Sequence, residues 1–158
     1  MLIEAFDEGV SLIDQSLELN PNLARAWSLS GWVRGWLDQP DIAIEHLARA
    51  MRLSPLDLQI HTMEHGTANA HFRAGRYEEA LRWVEKSLRR QPREPVALLT
   101  LTLIKAAAGD MEGARSAMQR VLQISPGRRI STAVSLPIFS PERRAWMADL
   151  LRKAGMPD

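Results

Sequence analysis

The chain has 158 residues, of which 46% are hydrophobic and 25% charged, and its formal net charge is +1. This composition is typical of a globular domain and excludes a disordered or collagen-like chain. No apolar run approaches the about 20 residues of a membrane-spanning helix, and the acidic start lacks the basic and apolar regions of a signal peptide. Because positive and negative charges nearly balance, the sequence does not indicate nucleic-acid binding. The lack of cysteine excludes disulfides and thiolate metal sites and favours a reducing, cytoplasmic location.

The first predicted helix covers residues 3–19 and is closed by Pro21. The first 24 residues contain five acidic side chains and neither lysine nor arginine. An apolar face runs along this helix without a preceding helix to cover it, through Leu12, Ile13, Leu17 and Leu19. A helix in an array of similar helices cannot bury its apolar face alone. We therefore expect either that the chain is cut from a longer protein or that this face self-associates. We expect the former.

Three predicted helical hairpins follow, over residues 24–57, 61–94 and 95–126. In the first hairpin, Pro40 suits the first turn of the second helix. In the third, a turn is predicted at Gly109. No segment shows sustained period-2 alternation, so we predict an all-α fold without strands.

The middle hairpin is preceded by three additional residues, 58–60. We interpret them as a longer first helix, running from about residue 58 to 74 with Asp57 as its N-cap. A second helix is predicted over residues 77–90.

The last segment, residues 127–158, is predicted to be irregular up to Ser140 and helical after it. Ser140 suits an N-cap and Pro141 the first helical position, and Gly155 is expected to end the helix. An apolar stripe marks this helix as a capping element, through Trp146, Met147, Leu150, Leu151 and Ala154.

A repeat is visible in the spacing of four prolines, which lie 34, 37 and 34 residues apart, at Pro21, Pro55, Pro92 and Pro126. Twelve residues before each proline is a small residue, namely Gly9, Ala43, Ala80 and Ala114. A small side chain at a fixed position is what two closely crossing helices require. The chain is therefore predicted to be an array of similar hairpins.

This pattern resembles the tetratricopeptide repeat, and the first hairpin matches its signature best, with Trp27, Ser30, Gly31, Ala43, Leu47, Ala50 and Pro55. Glu64 departs from it, because it stands where the first hairpin has Trp27. The resemblance implies a helical-hairpin solenoid that forms a right-handed superhelix. It would contain about three full repeats, an N-terminal half-repeat over residues 1–23 and a C-terminal capping helix.

A second resemblance is confined to residues 151–157. They are similar to the tail of tetratricopeptide arrays that follow class III nucleotide (adenylate) cyclase domains in bacterial signalling proteins. The resemblance implies that this chain is the regulatory or docking part of such a protein. The chain itself contains no cyclase catalytic segment.

Tetratricopeptide domains hold extended peptides or partner helices in a concave groove lined by the first helix of each hairpin. The resemblance implies that the partner-binding residues are Arg25, Ser28, Trp32, Trp36, His65, Asn69, Phe72 and Arg73. Asn69 suits a ligand's backbone and Arg73 a carboxylate. Alternatively, the two tryptophans pack against the N-terminal helix and Arg73 is only solvated.

The inner face of the third hairpin is predicted to be apolar, with Val96, Leu99 and Leu103. The nearest spare apolar segment is the run at residues 134–139. We expect this tail segment to fold back into the groove and cover that face.

One motif resembles a catalytic site, because His61, Glu64 and His65 match the H-x-x-E-H pattern of inverted zinc peptidases. A zinc site also needs a further ligand and a closed cavity, and the sequence indicates neither. No nucleophile elbow or phosphate-binding loop occurs. We therefore predict a non-enzymatic module that binds a protein or peptide, with no metal and no cofactor. The alternative is a homodimer formed through the uncapped N-terminal helix.

Overall fold

The computed structural model describes the backbone of residues 2–135 and 139–158, and the side chains from residue 8 onward within those ranges. These ranges contain nine α-helices and no strand. In chain order the helices are α1 (Leu2–Leu19), α2 (Ala24–Trp36), α3 (Pro40–Leu53), α4 (Ile60–Arg73), α5 (Tyr77–Arg90), α6 (Pro95–Ala107), α7 (Met111–Ile124), α8 (Ile130–Ala133) and α9 (Pro141–Lys153). The all-α prediction is confirmed.

Consecutive helices pack as hairpins, α2 with α3, α4 with α5 and α6 with α7. Neighbouring hairpins join through α3 with α4 and α5 with α6, while α1 packs on α2. The first helices also contact one another, α2 with α4 and α4 with α6. The layer of first helices is therefore the inner, concave side of a helical-hairpin solenoid, as predicted.

Small residues allow the two helices of each hairpin to cross closely. Ala43, Ala80 and Ala114 are completely buried. A Cβ atom added at Gly31 would lie 2.5 Å from Leu47 Cγ and 3.1 Å from the Ala43 carbonyl oxygen. Three of the four repeated small positions thus have the packing role that their spacing predicts. Gly9 does not, because an added Cβ there would meet nothing within 4 Å.

Two of the three additional residues before the middle hairpin, Leu58 and Gln59, form a turn, so their interpretation as a longer first helix is wrong. Helix α4 begins at Ile60 and has 14 residues, the same length as α3 and α5. Asp57 does not cap it, because its Oδ1 accepts a hydrogen bond from the Gln59 amide at 2.7 Å and closes a turn ahead of the helix. Leu58 lies in this turn with 89% of its surface exposed.

The C-terminal segment contains one helix more than predicted, since the stretch expected to be irregular includes the single turn α8. Helix α9 begins at Pro141 as predicted, and the Ser140 hydroxyl accepts a hydrogen bond from the Arg143 amide at 3.2 Å. Gly155 ends it with a φ of +100°. Within the described ranges, no helix has the length and apolarity needed to cross a membrane.

Candidate partner-binding groove

The predicted groove residues of α2 all keep part of their surface accessible. Arg25 is exposed, and Ser28, Trp32 and Trp36 are half-buried. Trp32 and Trp36 are neighbours, with ring centroids 5.9 Å apart. Helix α2 therefore presents an aromatic surface with a cation near its beginning.

Trp32 bridges the first and second hairpins. Its ring lies 5.2 Å from the His65 ring in an edge-to-face arrangement. Gly66 makes this approach feasible, because a Cβ atom there would lie 3.0 Å from Trp32 Cε2. These contacts place the indole on α4, whereas the alternative interpretation had it packing on the N-terminal helix.

His65 belongs to the protein interior. Its Nε2 lies 2.9 Å from the Thr100 hydroxyl on α6, and the residue is buried. Burial, with a smaller contribution from the charge of His61, lowers the pKa of His65 to about 4. The imidazole is therefore neutral at pH 7 and links α4 to α6.

Asn69 lies one turn further along α4 and is half-buried. Its amide forms no side-chain hydrogen bond with any other described residue. The same holds, within the described ranges, for the Ser28 hydroxyl and the Trp32 indole N–H. Three hydrogen-bonding groups on α2 and α4 are thus free to meet a ligand.

Phe72 and Arg73, at the end of α4, contact the C-terminal segment. The Phe72 ring stacks on Trp146 of α9, with centroids 5.7 Å apart and an interplanar angle of 19°. The Arg73 guanidinium lies 5.3 Å from the centre of the Phe139 ring. Both predicted groove residues are therefore covered by this chain's own tail.

The carboxylate that Arg73 binds comes from within the chain. Its Nη2 donates to Asp38 Oδ1 at 2.6 Å and to the Trp36 carbonyl at 3.2 Å, and its Nε donates to the same carboxylate oxygen at 3.1 Å. Only 4% of the Arg73 side chain is exposed. Asp38 holds a left-handed conformation, with φ of 58°, in the turn between α2 and α3. The sequence signals a turn at Asp38, two positions before Pro40, but sequence reasoning missed that this carboxylate is the partner of Arg73.

Helix α9 covers part of the inner face of the third hairpin, whereas Val96 of that predicted face leaves 47% of its surface exposed. It packs on α6, and Leu99 and Leu103 share one buried core cluster with Met147, Leu150 and Leu151. Val134 and Phe139 of the tail run predicted as a cover also pack on this cluster, while residues 136–138 lie outside the described residues. The groove is consequently open over α2 and α4 and closed over most of α6.

The side chains of the H-x-x-E-H motif are engaged with protein partners. Glu64 is fully buried, and both of its carboxylate oxygens accept from Arg90 Nε at 3.1 Å. Lys86 Nζ adds an ion pair at 3.4 Å. These two cations, which reach the buried carboxylate from the surface, explain how a glutamate occupies the position that carries Trp27 in the first hairpin. Among the described residues, no group of three acidic, histidine or cysteine side chains is arranged to hold a metal ion.

Residues 65–129 match the tetratricopeptide repeat family. The fold is similar to that of PilW, a widely conserved type IV pilus biogenesis factor, with a TM-score of 0.76 and 18% identity over 97% of this chain and 69% of that chain. It is also similar to MamA, with a TM-score of 0.68 and 18% identity over 94% of this chain and 86% of that chain. A third similar structure is YrrB, a tetratricopeptide protein with an unusual peptide-binding site, with a TM-score of 0.62 and 17% identity over 96% of this chain and 77% of that chain.

No curated protein matches the chain. At identities below one fifth, the similar structures establish the fold alone. The chain is a tetratricopeptide-type solenoid, and its residues 65–129 match the tetratricopeptide repeat family itself.

Proposed function

We propose that this protein is a non-catalytic interaction module that binds a peptide or partner segment in the open part of the groove, between α2 and α4. One observation carries the proposal: the hydrogen-bonding groups of Ser28, Trp32 and Asn69 on α2 and α4 have no partner among the described residues, and α2 also carries the adjoining rings of Trp32 and Trp36. An extended peptide needs partners for its backbone N–H and C=O groups and an apolar surface for its side chains. The peptide-binding site named for the similar protein YrrB supports this proposal.

The eight predicted groove residues divide into two groups in this proposal. Five would contact the partner directly, namely Arg25, Ser28, Trp32, Trp36 and Asn69. The other three would support the surface from beneath, because His65, Phe72 and Arg73 are bound by other parts of the chain. A preformed surface of this kind loses little conformational entropy on binding.

We further propose a division into a half-repeat over residues 1–23, repeats over 24–57, 61–94 and 95–126, and a C-terminal segment over 127–158. The similarity of residues 151–157 to the tails of cyclase-linked arrays favours a regulatory role in a bacterial signalling protein of the cytoplasm. In that setting the groove would dock a target onto the signalling protein.

A random peptide library displayed on phage tests the groove. A selected peptide is synthesised with a fluorescent label, and its affinity is measured by anisotropy for the unsubstituted protein, for Asn69→Ala and for Asn22→Ala. Asn69→Ala should weaken binding about tenfold, since one hydrogen bond to the peptide backbone is lost. The control Asn22→Ala removes an exposed amide from the α1–α2 loop and should leave the affinity unchanged. Equal binding by all three proteins contradicts the groove as the site.

Self-association through α1 is a second candidate function, favoured by the exposure of Leu12, which leaves 57% of its surface open. Asp14 holds α1 in place through an ion pair of 2.7 Å with Arg34. A partner copy would then cover the neighbouring apolar residues, including half-buried Ile13. Light scattering tests this, because Ile13→Glu should convert a dimer to a monomer without affecting the groove. A monomer both before and after the substitution rules the dimer out.

A further inference from the structure

The end of the groove contains a basic cluster that neither the sequence nor the proposed function explains. We call it the basic corner and define it by Arg73, Arg143 and Trp146. It lies where α9 meets α4 and the turn that carries Asp38. The basic corner adjoins the open groove, because Arg73 Nη2 donates to the carbonyl oxygen of Trp36.

Helix α9 is a fixed side of this corner. Leu151 is completely buried, and Met147, Leu150, Ala154 and Met156 lie in the same core cluster. The chain after α9 is also held, since the Ile130 amide donates to the Pro157 carbonyl at 2.9 Å. Because each large buried side chain contributes about 1.5–3 kcal/mol, α9 presents Arg143 and Trp146 in a constant position.

The corner has two guanidinium groups, but only that of Arg73 binds the carboxylate of Asp38. Asp38 is bound by Arg73 through two donor atoms. Within the described ranges, Arg143 has neither an ion pair nor a side-chain hydrogen bond, although it is half-buried. Its guanidinium lies over the Trp146 ring, 5.8 Å from the centre.

The surroundings of Arg143 include a second cation, Arg73. Burial is the main cause of the lowered pKa of Arg143, and the charge of Arg73 lowers it further. Asp38 and Tyr77 oppose this effect, but the Asp38 carboxylate is already bound to Arg73. A second carboxylate at the corner would therefore be attracted by an arginine that has no counter-ion of its own.

The corner is accessible from solvent. Trp146 leaves 38% of its surface exposed beside Arg143, and Asp38 is exposed on the other side. An exposed indole next to an unpaired guanidinium offers an apolar contact and a charged hydrogen bond within one side-chain length. This combination matches a short peptide segment with an acidic residue beside an apolar one.

We propose that the basic corner binds an acidic side chain of the peptide held in the groove, with the carboxylate on Arg143 and an adjacent apolar side chain on Trp146. The inference rests on the proposed function and adds the chemistry of the partner. It predicts that partners carry Asp or Glu at the end of the bound segment that lies near α9.

The test uses the phage-displayed random peptide library on the full chain and scores acidic residues among the selected peptides. One selected peptide and its Glu→Gln or Asp→Asn counterpart are then measured against Arg143→Gln, Arg143→Lys and the control Arg115→Gln. Arg115 is an exposed arginine on α7, outside the groove. Thermal melting of each variant verifies that it is folded.

The inference is supported if acidic residues are enriched at one position of the selected peptides. The affinity of the acidic peptide should also fall about tenfold or more in Arg143→Gln and by less in Arg143→Lys. The neutral peptide should bind Arg143→Gln and the unsubstituted protein equally, and Arg115→Gln should bind like the unsubstituted protein. Peptides that depend on Asn69 but show neither acidic enrichment nor sensitivity to Arg143 overturn the inference and leave the proposed function standing. If no peptide binds at all, both are overturned.

Discussion

Trp146 of α9 stacks on Phe72 of α4, with ring centroids 5.7 Å apart and planes 19° from parallel. The pair joins the C-terminal helix to the second hairpin, although the third hairpin lies between these two elements in the chain. Because α9 also packs on α6, it lies across the concave side of the array. The uncovered part of the concave side is therefore shorter than the array itself.

We expect the Phe72–Trp146 pair to be coupled by about 1 kcal/mol in a double-mutant cycle, the range known for stacked aromatic rings. The cycle compares Phe72→Leu, Trp146→Leu and the double variant by urea unfolding. Each single substitution should also lower the free energy of unfolding, because both rings lose packing. Fully additive effects would show that the two rings are neighbours without mutual stabilisation.

The anchoring of α9 is tested by Leu151→Ala. The side chain is completely buried, so its truncation should lower the free energy of unfolding by about 2–5 kcal/mol and increase the binding of a hydrophobic dye. Leu56→Ala is the matched control, since Leu56 is 92% exposed and its truncation should change stability by less than about 0.5 kcal/mol. Equal small effects at both positions would mean that α9 is not held by its apolar face.

Local signals in the sequence predict most of the helices. Proline at the first helical turn marks where α3 and α9 begin, and glycine after the last turn marks where α9 ends; these predictions are confirmed. The predicted start of α4 is wrong because an aspartate can either cap a helix or close a turn. In the structure Asp57 closes a turn, by accepting a hydrogen bond from the Gln59 amide. The choice between them depends on the packing of the hairpins, which the local pattern does not contain.

The groove is harder to predict than the helices, because what covers it is decided by distant contacts. The apolar stripe of α9 is visible in the sequence, but a stripe fits any apolar surface and does not specify α6. Likewise, Arg73 could be assigned to a carboxylate, but the sequence does not show that Asp38, 35 residues earlier, supplies it. Helical spacing thus predicts which residues point inward, and tertiary packing decides which of them remain accessible.

Gly31 is expected to tolerate no larger residue. In Gly31→Ala the new Cβ would lie 2.5 Å from Leu47 Cγ, so the hairpin would have to open, at a cost of about 1–3 kcal/mol of unfolding free energy. Gly9 is the matched control, because it lies within α1 with nothing within 4 Å of an added Cβ. Gly9→Ala should stabilise the protein by about 0.5–1 kcal/mol through helix propensity. Thermal melting measures both variants. Changes in melting temperature of the same sign would contradict the close crossing of α2 and α3.

His65 should make the stability of the protein sensitive to mild acid. Its pKa is about 4 in the folded protein, mainly because it is buried, against 6.5 in the unfolded chain. Between these two values the unfolded chain binds more protons, so protonation favours unfolding. The stabilisation is fully present above pH 6.5, declines as the pH falls from 6.5 towards 4, and changes no further below that. The total loss from this group is about 3 kcal/mol.

The substitution His65→Gln isolates this effect, because glutamine can still bond to the Thr100 hydroxyl but does not titrate. Urea unfolding at pH 7.5 and pH 4.5 should show a larger loss of stability on acidification in the unsubstituted protein than in the variant. His46 and His71 also have lowered pKa values owing mainly to burial, but they are present in both proteins and their contributions cancel in the comparison. If acidification costs both proteins the same free energy, His65 does not stay neutral in the fold, and the contact between α4 and α6 would have to tolerate an imidazolium. A smaller loss in His65→Gln, together with its unchanged helix content at pH 7.5, would show that the neutral imidazole joins the two helices.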